Sequence, residues 1–279
     1  LGRLILADGI ALDGFQARLN TAGGLDGSFS GRVNGGAAIR GQIVPQNGRS
    51  AFRIVTSDAG GMLGSAGLLK QARGGEMELI MTPSDAAGTY EGQLTGSDIW
   101  LTEAPALAEL LSALSVVGLL EQMSGSGIHF SDVDARFRLG PERLTLYSGS
   151  AVGASMGISM DGYYYPGVKR MDMQGVVSPL YIVNAIGGMF TRQGEGLVGV
   201  NYTLRGTAAD PSVSVNPLSL LTPGMFREIF RRQPPARGGP PQGQPAAPPQ
   251  AANEGAGTQA PASAPREINP GGRGEINSR

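Results

Sequence analysis

The residues able to do chemistry are few in this sequence, and their spacing does not assemble them. His129 is the only histidine among 279 residues and there is no cysteine, so a nucleophile–histidine–acid triad would have to form around that one imidazole. Its segment, Ile128-His129-Phe130-Ser131, alternates as a strand does and puts the ring on the polar side, the setting of an ordinary solvated histidine. Asp132 and Asp134 share one strand face, but a hard cation wants roughly six to eight oxygens. Asp98 and Glu103 are the further carboxylates to consider, and nothing in the spacing draws them in. Without cysteine there is neither a thiolate metal site nor a disulfide framework. Gly194-Glu195-Gly196-Leu197-Val198-Gly199 spells the dinucleotide fingerprint letter for letter. That fingerprint follows a strand and opens a helix, whose N-terminus receives the pyrophosphate; here the glycines follow an apolar stretch and open a strand, so they read as turn residues. The expectation is a protein that is not an enzyme, with no catalytic residues, no cofactor and no metal.

The elements that would have to position these residues are mostly strands. Met171 and Met173 alternate with Asp172 and Gln174, which predicts a half-buried strand up to Gly175. The uncharged run from Val176 to Phe190, with Pro179 near its start, predicts a helix, since proline is best tolerated in a first turn. A glycine turn then leads into a strand on which Val198, Val200, Tyr202 and Leu204 share a dry face, while Gly199, Asn201, Thr203 and Arg205 share the wet one. Val213 and Val215 form a short strand between Asp210-Pro211 and Asn216-Pro217. The grammar of strand, apolar helix, glycine turn and strand recurs between Tyr90 and Gly140, with Gly125-Ser126-Gly127 at the turn. A weaker copy runs from Phe52 to Met81 around Gly74-Gly75. Such self-similarity suggests an extended array.

The remaining chain fits the same picture. From Leu1 to about Met81 short alternating runs are separated by Gly23-Gly24, Asn34-Gly35-Gly36 and Asn47-Gly48, residues that accept positive φ in turns. A short helix is expected near Met62 to Gln71. Leu107, Leu110, Leu111, Leu114, Val117 and Leu120 follow helical spacing over about four turns. From Val133 to Met173 the period returns to two, with Met156, Ile158 and Met160 alternating with Gly157, Ser159 and Asp161. The fold class expected is mostly β: a curved antiparallel sheet or β-groove with two or three short amphipathic helices, spanning residues 1–232. Residues 233–279, rich in Pro, Ala, Gly and Gln, cannot bury enough apolar surface to offset their ordering entropy and are expected to be a disordered tail.

Charge narrows the partners. With 23 acidic and 22 basic side chains, a net charge of −1, the chain lacks the basic surface that nucleic acid requires. The apolar uncharged run from Val176 to Phe190, which carries Pro179, is shorter than the roughly 20 apolar residues that cross a bilayer. Leu1 is not an initiator methionine, so a signal or membrane anchor is expected to lie outside this chain.

Three segments carry a family resemblance. They are Leu101-Thr102-Glu103-Ala104-Pro105-Ala106-Leu107-Ala108-Glu109-Leu110-Leu111, Gly175-Val176-Val177-Ser178-Pro179-Leu180-Tyr181-Ile182-Val183-Asn184, and the run from Asp210-Pro211-Ser212-Val213 to Met225-Phe226-Arg227-Glu228-Ile229-Phe230. Together they resemble the C-terminal region of AsmA-like proteins, especially the YhdP branch, of which TamB is a more distant relative. The likeness covers about Phe52 to Phe230. It implies a periplasmic protein anchored in the inner membrane, whose β-groove conducts phospholipid between inner and outer membranes. On that reading Met156, Ile158, Met160, Val198, Val200, Tyr202 and Leu204 are candidate lipid-binding residues, and Leu107, Leu110, Leu111, Leu114 and Val117 a candidate docking helix. The rival reading is a structural or docking domain that binds an outer-membrane or cell-wall partner. The same alternation serves an open trough and a closed core.

Limited proteolysis should trim residues 233–279 and leave a stable core ending near Arg232, because the tail has no apolar period to pack. A core that unfolds once the tail is removed would overturn this boundary.

Overall fold

One antiparallel sheet makes up most of the described residues. The structure is a computed structural model that describes residues 2–7, 9–84, 86–114, 117–179, 199–207, 210–216 and 234–235. Of two compact units, Leu1–Gly238 and Gly239–Arg279, the second lies outside the described residues, as does the expected tail apart from Pro234 and Pro235. The strands are β1 (Arg3–Ala7), β2 (Ile10–Asn20), β3 (Asp26–Val33), β4 (Ala38–Gln46), β5 (Arg49–Thr56), β6 (Ala72–Arg73) and β7 (Glu76–Pro83). They continue as β8 (Tyr90–Leu101), β9 (Ile128–Leu139), β10 (Leu144–Val152), β11 (Met156–Tyr165), β12 (Arg170–Pro179), β13 (Val200–Thr207) and β14 (Pro211–Asn216). The helices among the described residues are α1 (Ala59–Ser65), α2 (Pro105–Ala113) and α3 (Val117–Ser124). The mostly β expectation holds: 62% of the described residues are strand, in a fourteen-stranded sheet that among those residues does not close into a barrel.

Strand order follows chain order, with β6 alone off the path on β8. β6 and β7 keep one register against β8, from Ala72 opposite Leu101 and Arg73 opposite Trp100 to Glu76 opposite Ser97. They are therefore one strand broken at Gly74-Gly75. Both glycines have positive φ, and so does Asp98 across from them. A side chain at Gly75 would stand 2.4 Å from the Ser97 carbonyl oxygen, so the break needs glycine there. The break turns two carbonyls toward α1: Gly75 and Gly74 accept from the Ala59 and Gly60 N–H groups at 2.9 and 2.8 Å. The Asp58 carboxylate accepts from the Gly61 N–H at 2.9 Å. Three of the orphan donors of a helix start are satisfied in this way, which is why α1 begins at Ala59 rather than near Met62 as expected.

The register places one apolar row beside the next. Phe52, Met81, Gly92, Phe137 and Leu146 are cross-strand neighbours from β5 to β10, and Ile54, Leu79, Leu94 and Ala135 form the adjoining row. Glycines on this face make room for rings. A methyl at Gly92 would sit 2.2 Å from Cζ of Phe137, and one at Gly41 would sit 2.1 Å from Cζ of Phe29. Each ring lies over a bare backbone, which recovers apolar contact where the glycine has no side chain.

Two helix expectations change. The single helix predicted over Leu107 to Leu120 is two, since α2 ends at Ala113 with Leu114 as its C-cap and α3 begins at Val117. Ser115, Val116, Val117 and Gly118 are four successive residues of lower helix propensity than alanine. The helix predicted from Val176 does not start there. Val176, Val177 and Ser178 continue β12, paired with β11 on one side and, at the two valines, with β13 on the other. All three are fully buried, so the uncharged run reflects a strand covered on both faces. The rest of that predicted helix, 180–190, lies outside the described residues.

Replacing Leu111, which is fully buried, with alanine should cost about 2–5 kcal/mol, measured by denaturant unfolding. Leu68→Ala, at an exposed position, should stay within about 0.5 kcal/mol. Equal effects would mean that α2 is not part of the core.

Candidate functional site

The most distinctive surface is the apolar face itself. Three buried clusters lie along it: Leu12, Val33 and Ile39 near β1; Ala59, Ala72, Met77 and Ile99 around α1; and a larger one around α2 and α3. The insertions carrying α1 and α2–α3 follow β5 and β8, which run in the same direction, so both leave from one end of the sheet. At that end Leu107, Leu110 and Leu111 of α2 are buried with Leu119 and Met123 of α3 against Met156, Met173, Val177, Val200, Tyr202 and Leu204 of the sheet. The Glu109 carboxylate accepts from the Val213 N–H at 3.2 Å, which pins α2 to the outer strand and occupies a donor on that edge. Tyr202 reaches across Gly175 to donate its hydroxyl to the Ser159 carbonyl at 2.9 Å. A methyl at Gly175 would meet that hydroxyl oxygen at 2.7 Å, so the glycine permits a buried tyrosine to satisfy its polar end.

The sequence-derived candidates divide accordingly. Met156, Val200, Tyr202 and Leu204 are buried under the helices, and Ile158 and Met160 are half-buried at the border of the same cluster. Val198 lies outside the described residues. Leu107, Leu110 and Leu111 face the sheet rather than solvent, Leu114 is half-buried, and the side chain of Val117 is not among those described. Away from the helix-bearing end, Phe52, Leu79, Met81, Leu139 and Leu144 are half-buried and belong to none of the three clusters. Sequence reasoning read Leu79, Met81 and Leu144 as positions of alternating strands but placed none of these five among the lipid-binding candidates, although their alternation is the same signal that marked β11 and β13.

The opposite face corrects one expectation. Asn201, assigned to a wet face, is only 4% exposed, and its neighbours Ser159, Asp161, Gln174 and Ser178 are buried too. Gln174 donates from Nε2 to Asp161 at 2.9 Å, the kind of partner a buried carboxyl requires. Elsewhere this face carries charged pairs across neighbouring strands, Arg138–Glu91 at 2.5 Å, half-buried, and Arg205–Asp172 at 3.2 Å.

The chemical residues form no reactive centre among those described. His129 sits opposite Trp100 on β8 and stacks on its ring at 4.7 Å between centroids. Its Nε2 lies 3.2 Å from Asp98, a carboxylate whose side chain is 73% exposed. Ser131 donates to Asp132 at 2.8 Å, and among the described residues no group of three potential ligands is placed to hold a metal. Of the Gly-x-Gly-x-x-Gly stretch only Gly199 lies within the described residues. No protein-family model, curated protein or solved structure matches this chain.

Val200→Asp should separate a sealed region from an open one at the helix-bearing end. An unpartnered carboxyl on that face has its folded pKa raised above the unfolded value of about 3.9. Stability is then greatest below the unfolded pKa and is lost as pH rises through the raised one. Chemical denaturation at pH 4 and pH 7 should find the variant weaker at pH 7. Equal stability at both would place Val200 in contact with water.

Proposed function

We propose that this chain is a non-catalytic module that carries phospholipid along the apolar face of its sheet, as part of transport between inner and outer membranes and upkeep of the envelope. One observation carries the reading: among the described residues the face is apolar on every strand from β2 to β14, yet the described helices cover it only at one end of the strands. A sheet whose dry side served only as a core would be covered along its length. The half-buried patch of Phe52, Leu79, Met81, Leu139 and Leu144 is wet on its own and dry under an acyl chain. Each methylene moved there from water contributes about 0.8 kcal/mol.

The resemblance to the YhdP branch of AsmA-like proteins supports the same reading. With it come a periplasmic location and an inner-membrane anchor supplied from outside these residues. The leucines of α2 and α3 occupy the face at the helix-bearing end, so in this reading the lipid path runs below them, across the middle of the strands. No chemistry is asked of His129 or Asp98.

A photo-crosslinking residue at Leu79 or Leu94 in cells should capture phospholipid, and one at Gln93, on the opposite side of β8, should not. Equal capture at Leu94 and Gln93, or none at either, would overturn the lipid face in favour of a domain that docks to a protein partner.

A further inference from the structure

A second feature lies on the other side of the sheet. There the structure holds a cavity of about 580 Å3 whose lining includes Arg18, Ser28, Ser30, Arg40, Gln42 and Arg53. The register explains the hollow. Arg18 of β2, Ser28 of β3, Gln42 of β4 and Arg53 of β5 form one cross-strand row, and Ser30 and Arg40 are paired in the next. The two serines on β3 leave a low floor, and the arginines rise around it. Arg18 and Arg53 stand three strand spacings apart, about 14 Å between backbones, a gap that long guanidinium side chains can close from both sides.

The charge is one-sided. No Asp or Glu lines the cavity. Arg53 is ion-paired with Glu78 on β7, whereas the side chains of Arg18 and Arg40 make no hydrogen bond or ion pair with any described residue. Two uncommitted guanidinium forks beside serine hydroxyls and glutamine amides form a donor-rich hollow with no counter-charge of its own. Guanidinium binds oxyanions in bidentate fashion, and a phosphate monoester has enough free oxygens to take a fork from each arginine.

We propose that this hollow binds a soluble phosphate-bearing ligand, a phosphorylated sugar or a small phosphate ester, with Arg18 and Arg40 as its anion-binding residues. A membrane-embedded headgroup fits less well. The apolar lining is limited to Ala17, Phe29, Val55 and the backbone at Gly41, and it gives an acyl chain no berth. The site is independent of lipid carriage on the opposite face.

Calorimetric titration of the whole chain at low ionic strength, where screening is weak, would use glucose 6-phosphate and inorganic phosphate, with glucose as the uncharged control. Both phosphates should bind saturably and glucose should not. R18Q/R40Q should weaken phosphate binding at least tenfold without lowering the melting temperature, since both side chains are exposed. R18K/R40K, which keeps the charge and loses the fork, should recover only part of it. Absence of saturable binding, or binding unchanged in R18Q/R40Q, would overturn the proposal. So would an Arg18- and Arg40-dependent interaction seen only with phosphatidylglycerol vesicles, since that would make the ligand a lipid headgroup. Lipid capture at Leu79 should be the same in R18Q/R40Q, so the two proposals fail separately.

Discussion

The antiparallel ladder from β1 to β14 is the constraint on which the rest depends. Because side chains alternate across a strand, a slip of one residue anywhere would move an entire row from the dry face to the wet one. The rows are continuous over many strands, so an error at β5 would be felt at β10. Among the places that absorb irregularity without losing phase are the Gly74-Gly75 break opposite Asp98 and the register shift between Leu146 and Gly149. Both fall where glycine can take the backbone geometry or the close approach that other residues resist.

Such a sheet has two edges, and they differ. At β14 the Glu109 side chain takes an edge N–H, and α2 packs alongside. At β1 the side chains of Ile5 and Leu6 are exposed, and Arg3 is paired with Asp13 of β2. Open edges invite further strand pairing, and the helix that takes a donor on one of them is also the helix that fills the adjoining end of the dry face. The same nine residues of α2 therefore occupy part of an edge and limit the length of apolar surface left uncovered.

The two faces serve different kinds of chemistry. The dry face gathers shape and apolar area, with rings laid over glycines. The other carries paired charges across strands, a buried polar group around Asp161 and Gln174, and an arginine-walled hollow. Lipid on one side and a soluble anion on the other would not compete, because a sheet one backbone thick keeps their side chains apart.

Much of this was legible in the sequence. Period-two alternation marked Met156–Met160, Met171–Met173 and Val200–Leu204, and glycine pairs marked the turns, because both signals are local. The mostly β class and the three-fold grammar of strand, insertion, glycine turn and strand followed from them, and β5–α1–β7 and β8–α2–α3–β9 display it. What the sequence misjudged depended on burial by distant elements. Val176-Val177-Ser178 lacks charge because both faces of β12 are covered, a condition indistinguishable in one dimension from a buried helix. Asn201 sits at a polar step of the alternation and is buried all the same. Tertiary structure alone decided that the leucines of α2 turn onto Val200 and Tyr202, that Phe52, Leu79, Met81, Leu139 and Leu144 stay outside the clusters, and that Arg18, Arg40 and Arg53 from three strands surround one hollow. Each depends on register between strands, and register is set by pairing across the whole sheet.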